Sequence, residues 1–407
     1  MTIQQQKDRA VVRNLARRVA ELATSDEYEA RRKRWRDVNG LRRPDRAPVW
    51  CRPAGAWKEI LPDDHLQCQD PLCRGVERTL RQHLFKHDVG DDHIVEPWWG
   101  VPAVFDWDTE HTWGLRTQHL VASTSLGGWR YDPPVKTVED YERIALPMFT
   151  YNPTKTEETL SRMDDLLGDI LPVRRTCSPR LGANFSVYLD QLRGMAGMLE
   201  DLAFRPQVVH RVMAKLLEGV LHSLRAVEAT GLLTPNHYGP MTCSDPIGEP
   251  EDGKVRLHNL WTSANSQEFQ EVSPAMWEEF LLNYQIPIFQ QFGLVQYGCC
   301  EDLSQKIQGV LKIPNLRIFV SSYWTDLDKV IEACGTRYTI MWRQLSAHVT
   351  VSSDMDAVRA HLRQGMRKLK GHYYQIVLRE IETLGGDPKR LHTWARIAKE
   401  VAEEQAW

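Results

Sequence analysis

Leu294-Val-Gln-Tyr-Gly-Cys-Cys-Glu-Asp302 is an apolar run that stops in two adjacent thiols and two carboxylates. The run reads as a buried strand, and Gly298 marks its end. Metal-competent groups therefore arrive where a strand stops. In parallel α/β barrels and doubly wound sheets, ligands collect in the loops beyond the C-terminal strand ends. An isolated cysteine would read as a small buried apolar residue; this cluster at a strand end reads as a site.

Working outward, Val255–Trp261, Leu316–Val320, Tyr338–Trp342 and Tyr374–Leu378 read as further strands, and His93–Trp99 as a strand ending in a carboxylate and two indoles. Helices intervene. Ser273 caps a helix from Pro274 to Tyr284, and the run Asp326 to Cys334 stops at Gly335. Val208, Val212, Leu216, Val220, Leu224 and Val227 stripe a long amphipathic helix that stops at Gly231. This alternation predicts an α/β fold, a (β/α)8 TIM-type barrel over residues 46–407 with an N-terminal helical extension over residues 1–45. An open Rossmann-like sheet is the alternative, but no Gly-rich phosphate loop supports it. The basic run Arg31–Arg36 has helical periodicity and interspersed acids, so the extension is expected to lie outside the barrel with a solvated basic face.

A net charge of −3 on a chain that is 26% charged excludes the one-signed field that draws proteins onto nucleic acid or anionic lipid. No apolar run reaches membrane-spanning length, and Met1-Thr-Ile-Gln-Gln-Gln-Lys7 lacks the apolar core of a secretory signal, so a cytoplasmic location without membrane partners is expected. Eight unevenly spaced cysteines do not form a disulfide framework. Cys68 and Cys73 have no second Cys or His pair to complete a closed zinc site and read as free thiols. The sequence leaves a homodimer open.

If the strands are parallel, their ends converge on one mouth. That mouth is expected to hold Glu96, Trp98, Trp99, Glu268, Tyr297, Cys299, Cys300, Glu301, Trp324, Arg343, Glu380 and Glu382. Thiolate and carboxylate donors together suit zinc, which keeps an open position for substrate in catalytic sites. Neighbouring residues of an extended segment point to opposite faces, so one of Cys299 and Cys300 is expected to be a ligand rather than both. Glu268 and Glu271 lie between that mouth and the helix capped by Ser273, where the competing reading is an acidic residue favoured at a helix start.

Arg46-Ala-Pro-Val-Trp-Cys-Arg-Pro-Ala-Gly-Ala56 resembles the N-terminal signature of uroporphyrinogen decarboxylases, R-x-P-V-W followed by M-R-Q-A-G-R. The segment Gln267–Phe280 is similar to the family's S-P-x-x-F-x-E-F helix, and the resemblance runs from about Arg46 to the end of the chain. It implies a (β/α)8 barrel. Arg52 keeps the first arginine of the signature, but the second is Ala56, which removes one half of the grip on porphyrinogen carboxylates. The closer resemblance is to the superfamily's zinc-dependent methyltransferases, in which a strand ends in H-x-C and a later cysteine completes the set. Tyr297-Gly-Cys299 stands at that place, with Glu380 or Glu382 where the last ligand would be. Members of the O-demethylase kind, which take methyl groups from aryl methyl ethers, resemble the chain best. The resemblance implies zinc on Cys299, Glu268 and a third donor from Glu380 or Cys300. The groups themselves then offer Glu96 or Glu301 as proton donor, Tyr297 beside the metal, and Trp98, Trp99 and Trp324 as walls for an aromatic methyl donor; in a metal-free lyase Arg52 and Arg343 would grip a carboxylate. The methyl acceptor would be a corrinoid carried by a separate corrinoid protein, because no D-x-H-x-x-G signature occurs here. The rival expectations are a metal-free decarboxylase or lyase of a small carboxylate on the same fold, and a catalytically silent binding protein.

Overall fold

The structure, a computed structural model, describes residues 1–121, 129–352 and 354–406. The strands that place the site are β1 (Val49–Pro53), β2 (Trp99–Pro102), β3 (Val173–Thr176), β4 (Trp261–Ala264), β5 (Leu294–Tyr297), β6 (Leu316–Ser321), β7 (Thr339–Gln344) and β8 (Tyr373–Ile381). Six of them form one parallel sheet in the order β1-β8-β7-β6-β5-β4, curled into a half-barrel. The first and last strands of the chain are thus neighbours. β2 and β3 form a separate parallel pair.

The expected closed ring of eight strands is not formed: among the described residues no ladder joins β1 to β2 or β3 to β4. Side chains stand in for strands at both edges. Along β1, Asp92 accepts from the Val49 N–H and Asp91 from the Cys51 N–H, both at 2.8 Å. Along β4, Asn236 accepts from the Trp261 N–H and donates to the Trp261 carbonyl, both at 2.9 Å. With those groups satisfied, the edges do not require further strands. The same use of Asp91 and Asp92 explains why the strand expected at His93–Trp99 begins only at Trp99. The expected strand Val255–Trp261 is likewise displaced: a short turn of helix covers Leu257–Asn259 and β4 starts at Trp261.

Alternation along the strands sorts side chains into two layers. Trp50, Trp261, Ile318, Val320, Met341 and Val377 fill the concave side. Cys51, Val295, Tyr297, Phe319, Ile340, Trp342, Ile376 and Leu378 face the surrounding helices, including Pro206–Ala229 and Lys389–Glu404. The run expected from Pro274 to Tyr284 does start at Pro274 behind Ser273. It extends to Phe289 through a wide π turn at Glu278–Leu282.

The N-terminal extension consists of α1 (Ile3–Ala23) and α2 (Asp26–Asn39), and α2 is not an external ornament. Trp35 and Val38 enter the concave layer. Thr339 donates to the Val38 carbonyl at 2.8 Å, Arg317 to the Asn39 carbonyl at 2.6 Å, and Asn39 to the Cys243 carbonyl at 2.7 Å. The end of α2 therefore closes the N-terminal ends of β6 and β7. Two of its basic residues leave the expected solvated face, on which Lys33 remains: Arg31 and Arg34 are buried, and Arg34 joins Arg46 on the buried Asp92, each at 2.7 Å. Burial pushes the Asp92 carboxyl up, but Arg46 and Arg34 overcome it and hold it at about 2. With one end of the half-barrel sealed, the C-terminal strand ends are the side left for a site. Among the described residues no helix is long and apolar enough to cross a membrane.

Candidate metal and arginine site at the C-terminal strand ends

The chain leaves β5 through Gly298, whose φ of +109° suits glycine; a Cβ there would lie 3.0 Å from the Val320 carbonyl oxygen. That bend takes the next residues out of the extended conformation, so Cys299 and Cys300 do not point to opposite faces. Their Sγ atoms lie 3.6 Å apart as free thiols, side by side instead of on the opposite faces expected. Glu301 fastens the turn. Its carboxylate accepts from the Cys299 N–H at 2.9 Å and the Ser266 N–H at 2.8 Å, and its carbonyl accepts from Ser322 at 2.8 Å.

From β8 comes Glu380, a non-glycine residue held at φ +58°. Backbone strain of this kind costs about 1–3 kcal/mol and persists where the surroundings impose it, often at functional sites. The donor atoms of Cys299, Cys300 and Glu380 all lie within 4.8 Å of one another. Arg343 from β7 binds all three: Nη1 reaches the sulfurs of Cys299 and Cys300 at 3.3 and 3.6 Å, and Nη2 reaches Glu380 at 2.7 Å. The hydrogen bond from Cys300 draws the Cys299 thiol down to about 6, with Arg343 helping against the opposing effect of burial. Cys300 is pushed up, first by its hydrogen bond with Cys299 and then by burial. Cys299 is therefore the thiol that ionises more readily, beside a guanidinium.

Other expected members stand elsewhere. Tyr297 is fully buried on the helix side of the sheet, its hydroxyl on Gln285 at 3.1 Å and its ring against Trp277 and Phe289. Glu268 accepts from Ser186 at 2.7 Å and does not join the thiols. Glu96, Trp98 and Trp99 line a different cavity of about 380 Å³ with His83, His93 and Tyr238. Because β2 begins at Trp99, Glu96 and Trp98 precede a strand instead of ending one. The Glu96 carboxyl is pushed up by burial, against Arg32, Trp98 and Arg36. Trp324 follows β6 and is 61% exposed, its ring edge-on to Tyr323. Glu382 accepts from the Gly55 N–H at 3.2 Å.

No family model matches this sequence, and no curated protein matches it.

The residue that sequence reasoning passed over is Arg379. Its signal was available in parity: Val377 faces the concave side, so Arg379 two residues on shares that face, as Arg343 does with Met341 and Arg52 with Trp50. The C-terminal strand ends thus carry two thiols, a strained carboxylate and three arginines.

Proposed function

We propose that this protein binds zinc through Cys299, Cys300 and Glu380 and transfers a methyl group from a small methylated substrate, an aryl methyl ether, to the cobalt of a separate corrinoid protein. In this reading the half-barrel and the β2–β3 pair together make an interrupted (β/α)8 barrel of the uroporphyrinogen decarboxylase-like kind. The observation that carries it is the convergence of two thiols and a carboxylate beyond parallel strands.

The donors fit the metal. Tetrahedral zinc with Zn–S bonds of about 2.3 Å sets its sulfurs about 3.7 Å apart, and the two Sγ atoms stand at 3.6 Å. Soft thiolates with one carboxylate are a zinc-type donor set. Bound zinc would supply Lewis acidity toward the ether oxygen. The chain's own groups do the rest. Glu301 fixes the backbone of Cys299 and, with both oxygens engaged by N–H donors, acts as a positioning residue and not as the proton donor expected from sequence. Arg343 occupies the three donors in the metal-free protein and would give them up to the metal, and Trp324 offers an exposed aromatic face in the loop after β6.

A second reading, a metal-free lyase of a small carboxylate, is favoured by one observation: the cation that sits on all three donors is Arg343. One experiment separates the two. Zinc-reconstituted protein is mixed with methoxylated aromatics and a cobalt(I) corrinoid protein under reducing conditions, and the visible spectrum is followed. Methylcobalt formation that requires zinc supports the proposal. Substrate turnover without zinc and without methylcobalt supports the lyase.

A further inference from the structure

β1 and β8 are adjacent parallel strands in which Cys51 pairs with Leu378 and Pro53 with Ile381, with a register shift between. Arg52 therefore stands beside the Arg379–Glu380 step. Like charges opposite one another on neighbouring strands are unfavourable, and among the described residues these two are at most partly compensated. Arg52 is exposed and has no hydrogen bond or ion pair among the described residues. Arg379 is mostly buried, with 18% of its side chain exposed; its Nε has no hydrogen-bond partner, and its nearest carboxylate oxygen, on Glu380, is 3.6 Å away. That Glu380 is already engaged by Arg343 at 2.7 Å. A desolvated guanidinium kept without a full partner costs stability unless something else satisfies it.

We propose that Arg379, with Arg52 beside it, is the specificity-determining grip for a carboxylate group on the substrate. The ligand class is then a small methylated carboxylic acid, a methoxybenzoate, in place of a neutral ether. Planar guanidinium groups match a planar carboxylate through paired N–H donors, and an anion here relieves the repulsion between the two arginines. The methylated part of this identity rests on the methyl-transfer reading; the carboxylate grip does not.

Isothermal titration calorimetry on the metal-free full-length protein tests the grip with 4-methoxybenzoate, its uncharged isostere 4-methoxybenzamide, and inorganic phosphate. The wild-type protein is expected to bind 4-methoxybenzoate and to bind the amide at least about tenfold more weakly, the scale of a lost charge-assisted hydrogen bond. Arg379→Gln is expected to remove that preference, and Arg379→Lys to restore part of it. Unfolding curves establish that each variant is folded; Arg52→Gln serves if Arg379→Gln is not, and is expected to weaken benzoate binding in the same direction. Equal binding of acid and amide, unchanged benzoate binding in a folded Arg379→Gln or Arg52→Gln protein, or preference for phosphate would overturn the proposal. Arg379-dependent benzoate binding in a protein that neither binds zinc nor transfers methyl would sink the methyl-transfer reading and leave the grip standing.

Discussion

Arg343 and Glu380 share the strained end of β8: the guanidinium donates from Nη2 to Oε1 at 2.7 Å while its Nη1 lies on both thiols. A metal ion drawing on the same three donors competes with this guanidinium for them, and two cations at one site repel. Arg343→Gln is therefore expected to tighten zinc binding by about tenfold, ~1.4 kcal/mol, measured by competition with a chromophoric chelator. Weaker zinc binding would make Arg343 a support of the metal site and not its rival.

Glu380 occupies a conformation that glycine adopts freely, at φ +58°. Glu380→Gly is expected to raise the stability of the metal-free protein by about 1 kcal/mol while weakening zinc binding. Denaturant unfolding and zinc titration on the same variant read the two effects. A loss of stability would show that the ion pair with Arg343 outweighs the strain.

The Cys299 thiol, drawn down to about 6 by its hydrogen bond from Cys300 and by Arg343, titrates below its ordinary range. The lowered value makes the thiolate present above that pH and lost below it. In metal-free protein, alkylation of Cys299 by iodoacetamide is expected to rise with a midpoint near pH 6 and that of Cys300 to stay slow, read by peptide mass spectrometry. A midpoint near the ordinary thiol value, or faster labelling of Cys300, would reverse the assignment of the thiolate.

Asp92 is the stability counterpart, buried between Arg34 and Arg46 and accepting from the Val49 N–H. Its folded-state carboxyl lies below the ordinary value of 3.8, at about 2, so its contribution is present above 3.8 and is lost as pH falls through about 2. Asp92→Asn leaves two buried guanidinium groups without their anion and is expected to cost about 3–5 kcal/mol. Between pH 4 and 2 its stability should also fall less steeply than that of the wild type, a comparison made by urea denaturation. A loss under about 1 kcal/mol would show that Asp45 and solvent compensate both arginines.

The sequence made the strand-and-site logic legible at β5 to β8, where apolar runs of four or more residues end in polar clusters. It was silent where side chains replace backbone partners. Asp91, Asp92 and Asn236 satisfy strand edges through contacts far apart in the chain, and no local pattern shows them; that is why eight expected strands became a half-barrel and a separate pair. The same holds for Trp35 and Val38, whose helix reads as amphipathic whether its apolar face meets a barrel floor or another helix. At the site, period-two reasoning separated Cys299 from Cys300 because it could not foresee the bend at Gly298. The resemblance pointed to Glu268, whose partner Ser186 is distant in sequence. Arg379 was open to the same period-two reasoning, applied from Val377.

Metal analysis of the purified, zinc-reconstituted protein by plasma mass spectrometry tests the central claim most directly. The account predicts one zinc per chain in the wild type and in Glu268→Gln, and loss of zinc in the double variant Cys299→Ser/Cys300→Ser, with the metal-free folds equally stable. Full zinc in the double variant, or none in the wild type, would contradict it.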